Sequence, residues 1–189
     1  MSMIRSFLFL LCLVCVCMTS CTEEPVITDA ELHHDGPAVN APLLPTGTHE
    51  AAARFPASIT SAFQGRQLNE VEFFLLNLPT RCEVRVFGAN TDTDTGDLLY
   101  FQEITNEVSA PAWNTHTLPT PIDITGEDIW ICVQVTHNTP MNTIGCDPGP
   151  ANANGDWLRS DSDNQWITFR ERTNQATNIN WNIRGHLAD

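Results

Sequence analysis

Lysine is absent from this chain. All nine cationic side chains are arginine, set against 23 acidic ones, for a net charge of −14. Such a surface repels phosphate backbones and excludes nucleic acid as a partner. Helical periodicity is nearly absent after residue 46, which removes the crossover helices that a parallel sheet needs. No internal repeat is visible, so propellers and solenoids are excluded. Familiar catalytic signatures are missing too. There is no Gly-x-Ser-x-Gly elbow, no His-Glu-x-x-His and no glycine-rich phosphate loop. A Cys146 nucleophile served by His116 or His137 is the remaining route to a hydrolase, and the sequence is read as that of a non-enzyme. What the chain does have is a 42% hydrophobic composition, enough to bury a core.

The first 20 residues read as a secretory signal. Arg5 supplies the positive start, and Phe7 to Met18 form an apolar run shorter than the ~20 residues a membrane-spanning helix requires. It ends in Met18-Thr19-Ser20-Cys21. Small residues before a cysteine resemble the lipobox of bacterial lipoproteins, which makes Cys21 the expected lipidation site and the anchor to the membrane. Thr22-Glu23-Glu24 follows and resembles a surface-export signal, so the expected location is the outer membrane, facing the cell surface. Residues 21 to 45 carry Pro25, Pro37, Pro42 and Pro45 among acidic and small residues and are predicted to be an extended acidic tether that includes His33 and His34.

Residues 46 to 189 are predicted to form one domain. Short apolar alternations recur between Gly, Pro, Asn and Asp. Val71, Phe73 and Leu75 alternate with Glu70 and Glu72, and Cys82, Val84 and Val86 with Arg81, Glu83 and Arg85, so each segment buries one face. The clearest strand is Ile129 to Thr136. Further strands are expected at Ala51 to Phe55, Leu98 to Ile104, Trp113 to Leu118, Asp156 to Arg159, Gln165 to Phe169 and Ile179 to Leu187. Eight or nine strands at this spacing predict an all-β, antiparallel, jelly-roll-like sandwich.

Three cysteines fall in that domain. Cys82 shares a face with Val84 and Val86 and is read as a buried thiol. Cys132 and Cys146 are close in sequence, and a bridge between them is one of several open arrangements; it would contribute roughly 3 kcal/mol. Asp92, Asp94 and Asp97 place carboxylates near Gly96, the composition of a hairpin turn, with calcium as the alternative reading. Five tryptophans are present. Trp130 and Trp181 lie within strands and are read as packing. Trp157 and Trp166 flank an acidic loop and are the candidate ligand-binding residues.

The order of several short motifs is similar to a known family. Ala52-Ala53-Arg54-Phe55, Leu68 to Phe73, Trp113-Asn114, Asp128 to Ile131, Gly145-Cys146-Asp147-Pro148-Gly149-Pro150, Gly155-Asp156-Trp157 and Asn180 to Arg184 together resemble a β-sandwich domain of secreted and surface proteins of the Bacteroidetes. That family resembles jelly-roll adhesins and carbohydrate-binding modules, and its domains often follow others, cysteine peptidases among them. The resemblance implies a lipid-anchored, non-catalytic binding or adhesion domain whose ligand is a glycan or a protein. The alternatives are an accessory subunit of an outer-membrane assembly, or a hydrolase.

Overall fold

The computed structural model describes residues 30–189. The predicted signal, Cys21, the acidic residues after it and the start of the tether lie outside the described residues. The strands are β1 (Ala30–Leu32), β2 (Leu43–Leu44), β3 (Gly47–Phe55), β4 (Gln67–Leu75), β5 (Arg81–Phe87), β6 (Leu98–Glu103), β7 (Ala112–Asp123), β8 (Ile129–His137), β9 (Met141–Asn142), β10 (Trp157–Ser160), β11 (Ile167–Thr168) and β12 (Ile183–Ala188). Two four-residue helices, α1 (Ala57–Thr60) and α2 (Phe169–Arg172), and a 3-10 turn at Ser61–Phe63 complete the set.

Every ladder between these strands is antiparallel. One sheet runs β1-β12-β4-β7 and the other β11-β10-β3-β8-β5-β6, with β2-β9 as a small third ribbon. The all-β sandwich expected from the alternation is therefore present. Its core is built from the inward positions of both sheets. Ala51, Ala53 and Phe55 of β3 and Ile129, Ile131, Val133 and Val135 of β8 meet Leu68, Val71, Phe73 and Leu75 of β4 and Ile183 and Leu187 of β12. Gly185 marks a close approach of the two sheets: a Cβ there would lie 2.5 Å from Ile131 Cδ1 and 2.7 Å from Leu68 Cδ1.

The tether expected at residues 21 to 45 is corrected from Ala30 onward. Strand β1 pairs with β12, and Ala30, Leu32, Ala41 and Leu44 are buried. His34 stacks on Phe55 at 4.7 Å and its Nε2 lies 2.7 Å from the Arg54 carbonyl oxygen. Asp35 is held by Asn182 Nδ2 at 2.6 Å and by Arg184 Nη2 at 3.0 Å. Proline and acid content suggested a solvated chain, but four apolar side chains with a place to go outweigh composition. The sandwich thus includes the residues from Ala30 to 45 that composition assigned to the tether. The strand expected from Gln165 to Phe169 is also cut short. Thr168 accepts a hydrogen bond from the Glu171 backbone N–H, and the Glu171 carboxylate accepts one from Thr168. That capping box starts α2 two residues after β11 begins.

Candidate functional site

The six-stranded sheet has an outward face as well as a core face. Strand alternation brings Glu50, Ala52 and Arg54 of β3, Trp130, Cys132 and Gln134 of β8, Glu83, Arg85 and Phe87 of β5, and Trp157 and Arg159 of β10 to it. Register then arranges them in rows. Arg159 pairs with Glu50, Glu50 with Gln134, Gln134 with Glu83 and Glu83 with Glu103. The next row runs Trp157, Ala52, Cys132, Arg85 and Phe101. Cross-strand neighbours at this spacing interact directly.

The first row is a ladder of ions. Glu50 and Glu83 are each only 1% exposed. Arg159 donates from Nε to Glu50 Oε2 at 3.1 Å and from Nη2 to the same oxygen. Arg85 donates to Glu83 Oε2 from Nε at 2.9 Å and Nη2 at 2.6 Å. Arg81 closes the other Glu83 oxygen at 2.7 Å. Glu50 Oε1 is without a hydrogen bond, and Arg85 Nη1 stands 3.8 Å from it. Burial pushes the Glu50 carboxyl above its ordinary pKa, while Arg159 and Arg85 pull it back. A groove of about 200 Å³ runs along this row, lined by Thr48, Glu50, Arg85, Gln134, Arg159 and Ser160 among others. It offers guanidinium donors and amide groups, with Glu83 held by Arg85 and Arg81 and Glu50 held through Oε2 alone.

The aromatic cluster spans the second row and the one after it, where Trp130 pairs with Arg54 and Phe87. Trp130 sits 5.2 Å from Trp157 and 5.4 Å from Trp166, and Arg159 lies 4.9 Å above Trp166. Trp157 and Trp166 were expected to present open faces to a ligand. The structure buries them to 6% and 8% exposure, because the outward face of the sheet is itself covered by these rings. They are packing residues, as the sequence suggested for Trp130 and Trp181. The buried Glu50–Arg159 and Glu83–Arg85 pairs were not foreseen. Alternation placed their side chains opposite the core, and nothing in the local sequence signals that this face is also covered.

The three cysteines among the described residues, Cys82, Cys132 and Cys146, are free and buried. The Cys132–Cys146 bridge is therefore corrected. Cys132 belongs to the outward aromatic cluster, whereas Cys146 joins the inner core, so the two thiols are buried in separate clusters. Burial pushes the Cys82 thiol up to about 12 and the Cys146 thiol up to about 11, and it raises Cys132 well above the ordinary thiol value. None of the three is poised as a thiolate nucleophile. His116, one imagined base for Cys146, instead meets the Tyr100 hydroxyl at 2.7 Å. His137, the other, contacts Thr143 Oγ1 at 2.8 Å.

The expected calcium ligands do not converge. Asp92 accepts from Arg54 Nη2 at 2.5 Å, and Asp94 accepts from the Thr95 backbone N–H at 2.9 Å. Among the described residues the one group of three ligand atoms within 4.8 Å is Glu31, Glu72 and His186. Arg184 Nη1 already sits 3.4 Å from Glu31 and 3.6 Å from Glu72, so a guanidinium occupies the charge that a cation would neutralise. The loop from Gly145 to Pro150 is architecture. Asp147 accepts from the backbone N–H groups of Gly36 at 2.9 Å, Gly149 at 2.8 Å and Asn180 at 2.8 Å. Burial alone would raise this carboxyl, but hydrogen bonds from Asn180, Gly149 and Gly36 hold it below its ordinary pKa.

A scan against protein-family models finds no match, and a comparison with curated proteins finds none. Among solved structures the fold is similar to a clostridial cysteine protease, Cwp84, determined after propeptide cleavage. The TM-score is 0.57 at 12% identity. The likeness covers 87% of this chain and 41% of that one. This finding corrects the expectation of a surface adhesion or ligand-binding domain: the sandwich recurs inside a protease chain, so the fold does not point to adhesion.

Proposed function

We propose that this chain is a non-catalytic β-sandwich module that works with a cysteine peptidase, held outside the inner membrane by a lipid on Cys21. The observation that carries the reading is a pairing of facts. The fold is shared with about two fifths of a cysteine protease chain, 41% by length, while the three described thiols here are buried with raised pKa values. A chain with a similar sandwich and no poised thiolate among its described residues is suited to supporting catalysis that occurs elsewhere. The resemblance to Bacteroidetes surface domains that follow peptidases supports the same reading.

Two measurements test it. The purified chain, offered fluorogenic peptides with reductant present, hydrolyses none; turnover abolished by Cys146→Ala would make the chain the enzyme itself. Native membranes labelled with an epoxysuccinyl thiol-protease probe and precipitated through this chain yield a labelled peptidase band. Absence of that band removes the proposed partnership.

A further inference from the structure

The sandwich has four sheet edges, and three are guarded. Strand β11 is two residues long and runs straight into α2. Strand β1 has three residues. Strand β7 carries a register shift against β4 and exposes Pro119 and Pro121 within its length. Short strands, bulges and prolines are the ordinary means of blocking edge pairing. The fourth edge, β6, is six residues long and has no proline; its ladder with β5 shifts register only near its start, between the Val86–Tyr100 and Phe87–Leu98 pairs, and is regular from Tyr100 to Glu103. It pairs with β5 alone, it contains neither Pro nor a cationic residue in Leu98-Leu99-Tyr100-Phe101-Gln102-Glu103, and five of its six residues are exposed. Leu98, Leu99 and Phe101 are half of the six large hydrophobic residues exposed on the described fold.

Beside this edge lies a cavity of about 310 Å³ with a mainly apolar wall, to which Leu99, Ile122, Ile124 and Ile129 contribute. Exposed acids ring the edge and the cavity: Asp97, Glu103, Asp123 and Glu127. An unpaired strand edge offers a row of backbone donors and acceptors that only another extended backbone can satisfy in full, and adjacent pockets select its side chains. We infer that β6 is a docking edge for an extended segment of another polypeptide, which adds a seventh strand, sets a bulky apolar side chain into the Leu99–Ile129 cavity and presents basic residues to Asp97, Glu103, Asp123 and Glu127.

A second copy of this chain is the poorer occupant. Antiparallel pairing of β6 with itself brings the Asp97 end of one strand against the Glu103 end of the other, and like charges opposite each other destabilise a ladder. Each copy also carries a net charge of −14. The inference goes beyond the peptidase reading and stands on the edge alone.

The test uses the full chain and a fluorescein-labelled peptide, Lys-Val-Thr-Leu-Thr-Val-Lys. Anisotropy should report binding, and hydrogen exchange should slow at the amides of Leu98 to Glu103. Replacing the central Leu by Pro, or both Lys by Glu, should weaken binding at least about tenfold. Leu99→Lys should do the same with an unchanged melting curve; Phe101→Lys serves as a second variant if the first melts early. No binding, protection elsewhere than β6, or equal binding by the Pro peptide would overturn the inference. So would a concentration-dependent dimer of the chain alone that protects β6, which makes the copy the occupant.

Discussion

A chain beginning at residue 46, the start that composition suggests, should not fold. The segment it would lack places Leu32 at 1% and Leu44 at 2% exposure. Burying each leucine is worth roughly 1.5–3 kcal/mol. It also removes the three β1–β12 register pairs and the Asp35 carboxylate that binds Asn182 and Arg184; net hydrogen bonds contribute about 1 kcal/mol apiece. The combined loss is roughly 6–9 kcal/mol, against a total of about 5–15 kcal/mol for an ordinary domain. Near-ultraviolet circular dichroism of the tryptophans and guanidinium unfolding, compared between residues 30–189 and 46–189, measure it. The shorter chain should lose its near-ultraviolet signal and its cooperative transition, while Leu32→Ala alone should cost about 2–5 kcal/mol. A cooperative transition for 46–189 at the midpoint of the longer chain would refute the reasoning and return residues 30–45 to the status of a tether.

Four further outcomes are expected, the first three from the geometry and the last from the lipobox resemblance. Removing Arg159 as Arg159→Met leaves Glu50 buried with a single distant guanidinium, and denaturant unfolding should show a loss of about 3 kcal/mol. Burial lowers the pKa values of His34, His116 and His137, with the neighbouring His49 adding to the effect at His137. A folded-state pKa below the unfolded value means that these rings stabilise the fold in full above about pH 6.5 and lose that contribution as pH falls through the folded values. Melting temperature should therefore drop between pH 7 and 5, and His137→Gln should flatten the drop. Cys82, Cys132 and Cys146 should resist iodoacetamide in the native protein and react once it is unfolded, and reductant should leave the melting temperature unchanged. Cys21→Ala should abolish metabolic labelling with an alkynyl fatty acid in cells.

The strands whose two faces differ could be read directly from the chain. Val71, Phe73 and Leu75 alternate with acids, and β4 forms where that alternation stands. Strand β8 was equally clear because Ile129, Ile131, Val133 and Val135 all point one way. What could not be read was which outward faces are covered. Glu50 looks like a solvated strand residue until Arg159, from a strand 109 positions later, closes over it. Trp157 and Trp166 look exposed beside an acidic turn until Trp130 brings them together. Strand β1 is invisible for a similar reason: Ala30-Glu31-Leu32 has no pattern of its own, and its partner lies at the other end of the chain. The candidate site is therefore a product of register, which one segment does not encode alone.

Strand β1 has a mechanical consequence. Ala30 faces Leu187 in an antiparallel ladder, so the start of the first described strand lies beside the end of the last. Tension applied through the two ends would not shear that ladder, with every rung resisting at once. It would open it like a zipper, loading the Ala30–Leu187 pair first and the others in turn. A tug on the N-terminal side would thus peel β1, and the Leu32 contacts with it, at low force, before the central strands β3 and β8 felt any load.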